Sequence, residues 1–144
     1  MNWIVFVLVF CAGIATAIQG GVNGNLGKKI GIIEAAFVSF LVGTIFLGTL
    51  LFFMRKGNLS AAFEVPKWQL TGGLLGAIYI LIMVVAVPEI GVASAVMTLI
   101  IGQITSSVII DHFGLVPEKH IPLNIYRATG VILMFAALLL FTRK

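Results

Sequence analysis

The sequence predicts an all-α integral membrane protein of five transmembrane helices, forming a single domain over residues 1–144. Three observations carry that prediction. Hydrophobic residues make up 60% of the chain and charged residues only 10%, where soluble chains carry about 25% charged. The mean hydropathy is +1.18. Finally, no Asp, Glu, Lys or Arg occurs in 1–27, 35–54, 68–88, 90–110 or 128–142. A spanning helix needs roughly 20 apolar residues at about 1.5 Å rise each. The first four runs meet that length. The fifth reaches it by extending backwards through Leu123, Ile125 and Tyr126, with Arg127 snorkelling to the interface.

The elements follow in order. Span one covers about 3–24, with Trp3 at one interface and Lys28-Lys29 just past the other. Span two covers about 32–54 and ends at Arg55-Lys56-Gly57-Asn58. Residues 55–67 read as a loop, in which Leu59 to Phe63 form a short interfacial turn. Trp68 anchors span three, about 68–87, as an interfacial aromatic. Pro88-Glu89 is expected to be a tight turn before span four, about 91–110. Asp111-His112-Phe113-Gly114 ends that helix, with glycine past its last residue and Pro117 beyond. Span five runs from about 123 to 142, before Arg143-Lys144.

This organisation excludes several function classes. The longest polar connections, 55–67 and 111–122, are too short for a soluble catalytic domain. The net charge of +4 comes from basic residues placed singly or in pairs at span ends, where they set topology and do not form a nucleic-acid patch. No nucleophile–base pair and no phosphate-binding loop is present, so no enzyme, catalytic residue or cofactor is expected. His112 and His120 lack metal-ligand spacing, and no metal site is expected. The lone Cys11 excludes an internal disulfide and is expected to pack within span one. Ala15-Thr16-Ala17 is like a small-x-small cleavage site, but no basic segment precedes Trp3, so cleavage is not expected. The expected location is the cell (inner) membrane, multi-pass, with the lipid bilayer as solvent.

Five spans put the termini on opposite sides. The N-terminal side then carries Arg55, Lys56, Lys67, Lys119 and Arg127, and the other side Lys28, Lys29, Arg143 and Lys144, five against four. Orientation follows the Lys/Arg asymmetry of short loops, and here that asymmetry is almost nil. Either the small bias or the first span decides, or copies insert both ways and pair as an antiparallel homodimer. The second alternative suits a carrier, because many carriers hold their substrate between two inverted halves.

Two kinds of residue are candidates for function. Gly20-x-x-x-Gly24 and Gly72-x-x-x-Gly76 are small-xxx-small pairs for close helix packing, and Thr98, Gly102 and Ser106 repeat the spacing in span four. Polar residues within spans are costlier and more informative. Gln103, Ser107 and Asp111, at i, i+4 and i+8, share one helical face, as do Thr16, Gln19 and Asn23 at i, i+3 and i+7. Each stripe either lines a solute path, its amides offering donors and acceptors, or bonds a neighbouring helix. Glu34 falls in the first turn of span two, where a carboxylate meets a helix N-terminus favourably. It is a candidate for ion coupling at a vestibule, or a structural group. Glu89 is expected in a turn.

Across nearly the whole chain, the sequence resembles the YdcZ-like family of the drug/metabolite transporter superfamily. The resemblance rests on Gln19-Gly20-Gly21-Val22-Asn23 leading to Leu26-Gly27, and on Ser39-Phe40-Leu41-Val42-Gly43-Thr44. It continues in Gly72-Gly73-Leu74-Leu75-Gly76-Ala77-Ile78-Tyr79 and Gly91-Val92-Ala93. Gly102-Gln103, Asp111-His112-Phe113-Gly114 and Arg127-x-x-Gly130 complete it. It implies a five-span half-unit of an inverted-repeat carrier, and it brings no established binding residues. The expectation is therefore a transporter of a small-molecule solute or metabolite, working by alternating access as an antiparallel dual-topology homodimer. Its path would be lined by Gln19, Asn23, Gln103, Ser107 and Asp111. The alternatives are a non-transporting helper subunit of a larger membrane complex, or a small passive channel.

Overall fold

The computed structural model describes residues 3–54, 57–115 and 120–142. Among these residues, five helices are long and apolar enough to cross a membrane. They are α1 (Trp3–Ile30), α2 (Ile32–Phe53), α3 (Gly72–Ile90), α4 (Val92–Phe113) and α5 (Ile125–Thr142). Arg55, Lys56, Pro117, Lys119, Arg143 and Lys144 lie outside the described residues. The expected interfacial turn is a 3-10 turn over Leu59–Phe63, opened by Asn58, whose side-chain oxygen accepts from the Ser60 N–H at 3.1 Å. A second 3-10 turn, Lys67–Thr71, carries Trp68 and runs into α3, so the third crossing extends over Lys67–Ile90.

Two helix ends fall elsewhere than the sequence reading places them. α1 runs on to Ile30 and holds Lys28 and Lys29 in its last turn. Cations are favoured at a helix C-terminus, and their long stems let the charges reach the interface. Pro88-Glu89 is not a turn, since both residues belong to α3. The φ that proline fixes is a helical one, and the chain breaks instead at Gly91, whose φ of 82° suits glycine. The end of α4 follows the expected pattern. Gly114 takes the left-handed conformation at φ 60°, and the Leu115 N–H donates to the Ile110 carbonyl at 3.1 Å, a Schellman closure.

The chain divides into two compact units, Met1–Glu89 and Ile90–Lys144. In the first, α1 packs on α3 through a glycine face. A Cβ on Gly20 would lie 3.3 Å from Met83, and one on Gly24 would lie 3.0 Å from Val87 and 3.3 Å from Pro88. One on Gly27 would overlap Val84 outright. These glycines recur at i, i+4 and i+7, so one side of α1 is stripped to backbone where α3 meets it. Ala35 and Ala36 of α2 and Ile80 and Val84 of α3 form the core of this unit.

In the second unit α4 packs against α5. Asn124 caps α5, its side-chain oxygen accepting from the Arg127 N–H at 2.9 Å. No residue of α5 is buried. Such apolar exposure suits hydrocarbon, which offers side chains surroundings as apolar as their own. Cys11 is likewise exposed on α1 and does not pack inside the chain as expected.

Candidate functional site

The first unit contains a groove of about 620 Å³ between α1 and α2. Ile18, Val22, Val42 and Phe46 supply much of its apolar wall, and Gln19, Asn23 and Ser39 supply its polar stripe. The geometry follows from helical spacing: Gln19 and Asn23 are one turn apart on α1, so both face α2. Asn23 is 5% exposed, and its side-chain nitrogen donates to the Ser39 hydroxyl at 3.1 Å. Gln19 is exposed at the groove and makes no side-chain hydrogen bond among the described residues. Thr16 is not among the groove's lining residues, and its hydroxyl donates to the Ala12 carbonyl of its own helix at 2.9 Å.

The second unit holds the other stripe. Gln103 and Ser107 are exposed on α4. Asp111 lies further along, and its carboxylate accepts from the Arg127 guanidinium of α5 at 3.0 Å. Both side chains remain about one-third exposed, at 36% and 30%. Nearby, the Leu123 N–H donates to His112 Nδ1 at 3.2 Å, and the Ile121 N–H to the Asp111 carbonyl at 3.1 Å. Asp111 is thus a tie between two helix ends, with its charge balanced by Arg127.

Glu34 stands in the first turn of α2, exposed, with its carboxylate folded against Gly31. Gly31 has a φ of 105°, and a Cβ there would overlap the Glu34 carboxylate. Of the remaining packing glycines, a Cβ on Gly76 would lie 3.4 Å from the Phe40 ring, while Gly72 and Gly102 have open space around them among the described residues. No group of three or more His, Cys, Asp and Glu converges to hold a metal among those residues.

Sequence reasoning passed over two of these positions. Ser39 is the partner of Asn23, and its signal was a hydroxyl inside a charge-free run. Gly27 makes the tightest approach to α3, and its signal was the i+7 continuation of Gly20 and Gly24.

A model of the family described as "Putative inner membrane exporter, YdcZ" matches residues 4–140 of the chain. No curated protein and no solved structure matches it.

Proposed function

The chain belongs to the YdcZ family of inner membrane exporters, and from that premise we propose that it moves a small solute by alternating access as an antiparallel, dual-topology homodimer. It is a multi-pass inner membrane protein. The observation that carries the proposal is the polar stripe of the α1–α2 groove, with Gln19 unbonded among the described residues and Asn23 tied to Ser39. A polar group left unsatisfied in hydrocarbon costs several kcal/mol. The Gln19 amide therefore calls for water or solute beside it. Polar side chains inside spans are characteristic of solute pathways.

In this reading Gln19 and Asn23 are the polar contacts of the groove, and Gln103 and Ser107 are the exposed polar groups that α4 of the second unit offers a solute. Asp111 serves it indirectly, by holding α4 to α5. Glu34 is left to the membrane surface. The near balance of Lys and Arg, five against four, supports insertion in both directions. A pair of oppositely inserted copies would have the inverted symmetry on which alternating access rests in many carriers.

The test uses thiol chemistry in a Cys11→Ala background. Gln19→Cys and Ile14→Cys place thiols on the same helix, the first in the groove and the second outside its lining. A neutral, water-soluble methanethiosulfonate is applied to the protein in liposomes. Thiolate forms only where water reaches, so faster labelling of the Gln19→Cys variant is expected. Equal, slow labelling at both positions would contradict an aqueous path along this groove.

A further inference from the structure

Among the described residues, the α1–α2 groove is lined without a single charged side chain. The carboxylates of the described residues all stand elsewhere. Glu34 is folded against Gly31, and Glu64 directly follows the Leu59–Phe63 turn. Glu89 lies in the last turn of α3, and Asp111 is bonded to Arg127. The cations Lys28 and Lys29 are at the end of α1, and Lys67 begins the turn before α3. An ion entering the groove would therefore give up water at membrane depth and meet no counter-charge among the described lining residues, which is strongly unfavourable.

What the groove offers is hydrogen bonding beside apolar wall. Asn23 commits one amide hydrogen to Ser39, and its side-chain oxygen receives no donor among the described residues. The Gln19 amide can both donate and accept. Ile18, Val42 and Phe46 line the space around them. We propose that the groove selects a neutral amphipathic solute: an apolar body against these three side chains, and one uncharged group that donates and accepts at Gln19 and Asn23. Carboxamides are the simplest chemistry of that class. The inference rests on reading the groove as the solute path.

Three probes of one shape test it: naphthalene-2-carboxamide, its amidinium counterpart and its carboxylate counterpart. Saturable thermal stabilisation of the full chain in detergent gives an apparent Kd for each. The amide should bind about tenfold or more tightly than either ion, and Gln19→Leu should remove that preference. Gly43→Leu is the second variant, since it adds bulk to the groove wall at a position with open space around it, and it should abolish stabilisation by all three probes. Equal or tighter binding of an ion, lost in both variants, would overturn the neutral class while leaving the groove as the path. No saturable stabilisation by any probe, or stabilisation that both variants leave unchanged, would overturn the inference together with the path.

Discussion

Asn23 of α1 donates to the Ser39 hydroxyl of α2 at 3.1 Å, and it is the buried polar residue among the described residues of the first unit. The bond joins two helices at the floor of the groove, so it shapes the proposed site as well as holding the pair. Hydrogen bonds between membrane helices contribute about 0.6 kcal/mol on average and up to about 1.7. A double-mutant cycle of Asn23→Ala and Ser39→Ala should give a coupling energy in that range, measured by unfolding in detergent. A coupling near zero would mean that the two side chains act independently.

The glycine face of α1 leads to a sharper expectation. Gly27→Ala places a methyl group on Val84, and overpacking of this kind costs about 1–3 kcal/mol. Val84→Ala in the same chain should recover most of the loss by making room. Gly102→Ala, whose new methyl meets open space among the described residues, should instead be neutral or stabilising by up to about 1 kcal/mol, the difference in helix propensity. Equal losses at Gly27 and Gly102 would remove the close approach of α1 to α3 from the account.

The Asp111–Arg127 pair holds each charge at the less favourable end of its helix. Asp111 is in the last turns of α4 and Arg127 in the first turn of α5, opposite to what the helix dipoles favour. Their mutual bond offsets this. Asp111→Asn alone should therefore cost no more than about 1 kcal/mol, less at high salt, as for partly exposed pairs. The exchange Asp111→Arg with Arg127→Asp keeps the pair and places both charges favourably. It should match or exceed the parent in melting temperature, and a marked loss would show that the bond depends on more than charge.

Gln103 carries the prediction for α4. Replacing it with Leu removes an exposed amide and should leave expression and assembly intact. Efflux of naphthalene-2-carboxamide from liposomes should nevertheless fall to the rate of protein-free vesicles. Unchanged efflux would take Gln103 out of the path.

Much of the fold was legible because hydrocarbon imposes a simple rule: a charge-free run long enough to cross must be helical. Helix ends were less legible, since interfacial chemistry tolerates several solutions. Lys28 and Lys29 fit a helix end as well as a loop, and Pro88 continues a helix that it would be expected to stop. At the site, the 3.6-residue period placed Gln19 and Asn23 on one face of α1. It could not supply Ser39, because which face of α2 meets that stripe depends on how the two helices pack. The pairing of Asp111 with Arg127, 16 positions apart, was hidden for the same reason.

The antiparallel pair is the part of the account from which alternating access follows, and the sidedness of the C-terminus tests it most directly. In a Cys11→Ala background, one cysteine is added after Lys144 and intact cells are treated with a membrane-impermeant maleimide. The account predicts labelling of about half of the chains, since the five-against-four Lys/Arg balance gives neither orientation a clear advantage. Labelling of all chains, or of none, would fix a single orientation and contradict the dual-topology homodimer.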